Sequence, residues 1–254
     1  MEYFVEKGSI VRKIWGNGDT ILMIFAGASA EFALNKAVDW LYFTGRLPAD
    51  PLGRLFSTVS YARRIVFSER TAAHRTIEAM ANIHAAVEEK RGASIPDWAY
   101  RDVLFMLIDY SIRSFEVLEH KLSRVEKQEV FQVFREVGSL MGLKGLPDTF
   151  EVWKKMREEH LSQNLENSGL TEHLFRQYRK HLGPVRYRIL IEAQTLLVPA
   201  TVKDLLALRS FSLISPLIGF YKISRGFNLD GILKTLILPG EYLKEIKDLD
   251  RATV

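Results

Sequence analysis

Apolar side chains recur along this chain at steps of three and four. Between positions 69 and 91, Ile77, Met80, Ala81, His84 and Val87 fall on one face of a helix, with Glu78, Glu88, Glu89 and Lys90 off the centre of that stripe. Gly92 follows the last charged turn and is expected to stop the helix. The same period returns downstream. Asp50-Pro51 opens a helix to about Phe67, Pro51 suiting its first turn. Pro96 opens another to about Lys121, apolar at Val103, Leu104, Leu107, Ile108, Ile112, Phe115 and Leu118. Ser123 with Glu126 reads as a capping box for a helix ending near Gly142. Pro147 to about Leu161 makes the next. Residues 170–198 read as one long helix, kinked or broken near Gly183-Pro184. Pro199, Pro216 and Pro239 divide the remainder into short helices.

Strand signals are nearly absent. Asn17-Gly18 sits between two helical patterns, not between alternating runs, so it is no hairpin. No repeat of fixed period is present. The polar stretch 162–169, with Asn164, Asn167 and Gly169, is the best linker candidate, and it fits a loop inside one domain. The pattern predicts a single all-α domain over residues 1–254, built from about ten helices.

Composition narrows the chemistry. The 254 residues are enough to bury a sizeable core, and 47% hydrophobic with 26% charged residues excludes a mainly disordered chain. The absence of cysteine removes disulfides, thiolate iron–sulfur and zinc sites, and cysteine nucleophiles. A net charge of +4 from 35 basic and 31 acidic residues is close to balance, so no nucleic-acid partner is expected. No stretch reaches the roughly 18 apolar residues of a membrane span. Residues 21–30, ended by Glu31, and 210–221, broken by Pro216 between Arg209 and Lys222, read as core helices. The second also offers a peripheral membrane contact. The N-terminus lacks the basic-then-apolar order of a secretory signal, and a cytoplasmic location is expected.

No phosphate loop, Rossmann fingerprint, His-Glu-x-x-His or Gly-x-Ser-x-Gly is present, and no histidine has Glu three residues before it. Zinc hydrolase, di-iron oxidase, NTPase and serine hydrolase chemistries are thereby excluded. What remains is a site needing one or two protein ligands, of which haem is the clearest case. His84 lies on the apolar stripe of its helix. It reads either as a core histidine bonded to a carbonyl or as an axial haem ligand. His74, ten residues earlier, is about 80° away around the helix, so the two make no i, i+4 metal clip. His120, His160, His173 and His181 stand among charged residues and are expected to face solvent. Arg54 and Thr58 share a helix face one turn apart, with Ser57 beside them. They suit a haem propionate or a polar substrate atom; equally, the hydroxyl can bond its own helix under a surface arginine.

Taken in order, these features resemble the MpaB-type oxygenase and latex clearing protein family, the rubber-oxygenase catalytic domain. The segments that carry the resemblance are Gly8-Ser9-Ile10-Val11-Arg12-Lys13-Ile14-Trp15-Gly16, Asp50-Pro51-Leu52-Gly53-Arg54-Leu55-Phe56-Ser57-Thr58 and Asn82-Ile83-His84-Ala85-Ala86-Val87. Lys121-Leu122-Ser123, Leu140-Met141-Gly142-Leu143 with Leu146-Pro147, Leu196-Leu197-Val198-Pro199 and Leu238-Pro239 follow in register. The resemblance implies an all-α fold around haem b, with His84 as the axial iron ligand. It also implies dioxygen as co-substrate and a small hydrophobic alkene or aromatic substrate. Arg54, Ser57 and Thr58 would then lie by the haem and the oxygen side. Asp39 is the nearest carboxylate for the general base the family places before Arg54, with Glu31 further upstream. The chain departs from the family at several points. Phe25-Ala26-Gly27-Ala28 replaces a common His-Pro, Leu104 a histidine, Val133 a glutamate, and Ser57 the lysine of rubber-cleaving members. A rubber-type lysine mechanism is therefore not expected. Two functions follow: a haem-dependent oxygenase, or a non-catalytic helical protein that binds a hydrophobic ligand or a protein partner.

Overall fold

The structure is a computed structural model and describes residues 2–45 and 49–224. These residues form helices and no strand, with two isolated bridges, Tyr3 to Glu69 and Asn35 to Leu165. In chain order the helices are α1 (Ile10–Trp15), α2 (Gly18–Leu34), α3 (Asp39–Phe43), α4 (Pro51–Phe67), α5 (Arg70–Arg91) and α6 (Asp97–Leu118). They continue with α7 (Arg124–Leu140), α8 (Phe150–Gln163), α9 (Gly169–Leu197), α10 (Ala200–Leu205) and α11 (Ser215–Ser224). The described residues form a single all-α domain. The break expected at Pro239 and the Leu238-Pro239 step lie outside the described residues.

The centre of the fold is α2. Its sequence is apolar on every side, which is the pattern of a helix surrounded by others. It packs chiefly against α6 and α9. The Asn17 side chain caps it by accepting from Thr20 N at 3.0 Å, so Asn17-Gly18 is a helix start. The apolar run does not end the helix at Glu31: α2 continues to Leu34, with Glu31 fully buried. The Trp15 ring packs on Phe25 and Phe134, and its Nε1 donates to Ser111 Oγ at 3.2 Å. A second cluster around Ala33, Val38, Leu174 and Tyr178 is continuous with the main core, because Phe32 and Leu190 pack against both.

Local signals place most boundaries. Gly92 ends α5 in the left-handed region at φ 69°, its N–H returning to Glu88 O at 2.9 Å. Ser123 and Glu126 form a full capping box on α7. Two boundaries move. Helix α6 stops at Leu118, because Glu116 accepts from Leu122 N at 3.2 Å and pairs with Lys121 and Lys127, folding the chain back. For α8 the start is Phe150, where Thr149 accepts from Val152 N at 3.2 Å; the Pro147 carbonyl instead accepts from Arg135 Nε at 2.7 Å. The long helix α9 keeps its break, with Gly183 at φ 70°, ψ 173° just before Pro184. The stretch before α9 is an internal loop. Lys36 N donates to Asn164 O at 2.9 Å and Glu166 N to Leu34 O at 2.8 Å, tying it to the end of α2.

Candidate functional site

Three helices meet around His84. Asp50 caps α4, its carboxylate accepting from Gly53 N at 2.8 Å, and this sets the first turns that carry Arg54 and Thr58. Arg54 is half-buried, and its charge acts on His84 across the α4–α5 contact. Thr58 Oγ1 donates to the Arg54 carbonyl at 3.1 Å, so its proton is directed into its own helix. Ser57 is exposed.

His84 is half-buried on the inner face of α5, with Ile77 buried two turns before it. Its ring meets the Tyr100 ring edge-on, centroids 5.3 Å apart. Tyr100 is held in turn, its hydroxyl donating to Glu88 Oε1 at 3.1 Å. The same oxygen accepts from Ile95 N at 2.7 Å and pins the turn between α5 and α6. The Nδ1 atom of His84 is buried without a hydrogen-bond partner among the described residues. Burial pushes the His84 pKa below its ordinary value. Arg54 lowers it further and Glu88 partly offsets this, so the imidazole is neutral at pH 7. His74, on the same helix, also has a buried nitrogen, Nε2, without a hydrogen-bond partner among the described residues; its ring stands edge-on to Phe4, whereas the charge of Arg54 acts on His84.

Asp39 lies in the first turn of α3, where it accepts from Arg91 Nη2 at 2.6 Å. The Arg91 guanidinium covers the Trp40 ring at 3.9 Å. This pair ties α3 to the far end of α5, two turns beyond His84.

The expectation that four histidines face solvent fails at His160, which is only 2% exposed. Its partners form a connected buried polar constellation among the described residues. His160 Nε2 lies 2.8 Å from Glu31 Oε1, and Nδ1 lies 2.7 Å from Asp102 Oδ2. Arg157, one turn earlier on α8, grips both oxygens of Glu31, with Nη2 to Oε2 at 2.6 Å. It also reaches Asp109 Oδ2 through Nε at 3.1 Å and Nη2 at 3.0 Å. Tyr110 donates to Glu31 Oε2 at 2.8 Å, Arg113 to Asp109 Oδ1 at 2.7 Å, and Asn164 to Asp102 Oδ2 at 2.8 Å. Burial alone would raise the Glu31 pKa, but the charge and hydrogen bonds of Arg157 and His160 hold it at about 2. For His160, burial lowers the pKa, and the hydrogen bonds to Asp102 and Glu31 with the charge of Glu31 more than reverse this. Carboxylates at both ring nitrogens favour the imidazolium. With Glu31 at 0% exposure, a substrate has no access, and the constellation joins α2, α6 and α8 as a structural pin.

His173 also departs from the solvent-facing expectation. It is half-buried, with Nδ1 2.9 Å from the Tyr42 hydroxyl. His181 is half-buried too, whereas His120 is exposed. The buried pin was not found by sequence reasoning, although signals for it exist. Glu31 interrupts an apolar helix, Trp153, Arg157 and His160 share one helical face, and Asp102 and Asp109 stand two turns apart on another.

The fold and the His84 cluster define an all-helical protein in which a half-buried imidazole with an unpartnered ring nitrogen stands beside an arginine. The family described as ER-bound oxygenase mpaB/B'/Rubber oxygenase, catalytic domain, matches residues 12–216. The chain belongs to this family of oxygenase domains, which supports a general oxygenase role. No curated protein matches the chain significantly. No described helix is long and apolar enough to cross a membrane.

Proposed function

We propose that the chain is a haem-dependent oxygenase acting on a small hydrophobic alkene or aromatic substrate, with His84 as the axial ligand of haem b. The observation that carries this reading is the buried, unpartnered Nδ1 of a neutral imidazole in a chain of an oxygenase family. Among the described residues no group of three His, Asp or Glu side chains is arranged to hold a metal ion. A haem iron asks less, since one imidazole suffices and apolar helices hold the ring, so the donor set fits. When bound, haem would supply an iron centre that activates dioxygen.

The chain's own residues would do the rest. His84 would hold the iron, its ring steadied by Tyr100 and, through Tyr100, by Glu88. Arg54 would keep His84 neutral and offer a propionate or polar substrate atom a charged donor. Thr58 and Ser57 would border the same side, and Asp39 would serve as general base only by leaving Arg91. The partner reading includes a peripheral membrane contact through 210–221, supported by Phe211 and Leu213 at 64% and 50% exposure.

A second reading, a helical protein that binds a hydrophobic ligand without turnover, is favoured by the same polar set. Thr58 bonds its own helix, Ser57 points outward and Asp39 is ion-paired. Haem titration separates the two. The oxygenase reading expects one haem per chain and a Soret band that responds to dithionite and carbon monoxide and is lost or shifted in His84→Ala. Folded protein that takes up no stoichiometric haem would sink it and leave the binding reading.

A further inference from the structure

The break in α9 creates a feature that the oxygenase reading does not use. Gly183 takes φ 70° and Pro184 follows it, so the two halves of the helix diverge. A cleft of about 350 Å³ sits at this break, floored by Pro184, Tyr187 and Ile191. Arg179 enters it from the half before the break and Arg188 from the half after it; Arg209 completes the rim. A second cleft of about 330 Å³ shares Tyr187 and Ile191 and continues over Phe175, Leu206 and Leu208. Neither cleft is lined by His84, Arg54, Ser57, Thr58 or Asp39. Each reaches the lower end of the range that small-molecule sites occupy, about 300–1,000 Å³.

Charge sorts the two ends. The carboxylate at the first cleft, Glu192, is saturated: it pairs with Arg209 and accepts from Ser212 Oγ at 3.1 Å and Leu213 N at 2.7 Å. It therefore does not neutralise the other two arginines. Arg179 and Arg188 are exposed and make no ion pair or hydrogen bond among the described residues. One end of the groove thus holds two guanidinium groups without an anion; the other is lined by Phe175, Tyr187, Ile191, Leu206 and Leu208, with Asn167, Thr171 and Glu172, the last paired with Arg176 at 3.7 Å, as its polar part. Guanidinium forks match carboxylate geometry, and an apolar floor matches an alkyl chain.

We propose that the paired clefts bind one long-chain carboxylate, its headgroup between Arg179 and Arg188 and its chain lying across Tyr187 and Ile191 onto Phe175, Leu206 and Leu208. The modest volume favours a single chain with a small head. The site stands independently of haem binding at His84.

Binding of dansyl-undecanoic acid to the full chain, followed by fluorescence and displaced with palmitate or hexadecanol, tests this. Saturable one-site binding is expected, with palmitate displacing the probe and the neutral alcohol displacing it at least about tenfold less well. Arg179→Glu with Arg188→Glu should weaken binding about tenfold or more, equivalent to ~1.4 kcal/mol. Arg179→Gln with Arg188→Gln is the milder pair should the reversed one not fold. Ile191→Trp should block the saddle while circular dichroism stays helical. The proposal is overturned by no saturable binding, or by equal competition from hexadecanol. Wild-type affinity in the folded arginine pair overturns it, as does probe uptake seen only on phospholipid vesicles.

Discussion

A histidine's surroundings, not its sequence neighbours, decide what it does. His160 is flanked by Glu159 and Leu161, yet it is sealed between Glu31 and Asp102, whereas His84 lies on an apolar stripe and is left with an unpartnered nitrogen. The cost of breaking the His160 constellation is a residue-scale prediction. Glu31→Gln leaves the Arg157 guanidinium, which is 5% exposed, short of one countercharge. Removing one partner of a buried ion pair typically costs about 3–5 kcal/mol. Urea unfolding should register a loss of that order with the m-value unchanged; a loss below about 1 kcal/mol would show that Asp109 alone satisfies Arg157. His84→Ala, by contrast, removes no hydrogen-bonded partner and should change stability far less.

Helix pairing depends on a single missing side chain. A Cβ on Gly27 would stand 2.3 Å from Tyr110 Cδ1, so α2 and α6 approach closely only because position 27 is glycine. Tyr110 cannot swing aside, being fully buried with its hydroxyl on Glu31. Gly27→Ala should therefore destabilise the fold by about 1–3 kcal/mol, despite alanine's better helix propensity. Thermal melts that show a gain instead would mean that α2 shifts freely against α6. At this scale much was legible. Asp50-Pro51, Ser123 with Glu126, Gly92 and Gly183-Pro184 act within a turn of themselves, and each stands where the pattern put it. The end of α6 and the start of α8 were less legible, because Glu116 and Arg135 recruit neighbouring backbone groups that periodicity does not contain.

Stability against pH belongs to the whole molecule, since the pin joins three helices. Glu31 has its pKa lowered from 4.5 to about 2, so its contribution is complete above about 4.5 and is lost as pH falls towards 2. His160 is raised from 6.5, so its contribution is complete below about 6.5 and is lost as pH rises through its folded value. Around it stand Glu31 from α2, Asp102 from α6 and Arg157 on its own helix. Melting temperature should therefore peak between about pH 4.5 and 6.5, and His160→Gln should flatten the alkaline side. An unchanged alkaline slope in that variant would show that other groups set it.

Helix positions and the all-α class follow from local rules, the 3.6-residue period, caps, glycine and proline, while the family is carried by short residue motifs in a fixed order. These act over a few residues and are written along the chain. Which polar residues meet is another matter. Glu31, Asp102 and Arg157 lie far apart in sequence and become partners only because α2, α6 and α8 pack together and exclude water. Burial then sets their charge states and makes their mutual hydrogen bonds indispensable, since an unpaired charge in that interior is too costly to keep. The unpartnered nitrogen of His84 and the arginines at the break of α9 are likewise products of packing, because only neighbours brought from other helices determine whether a polar atom is satisfied.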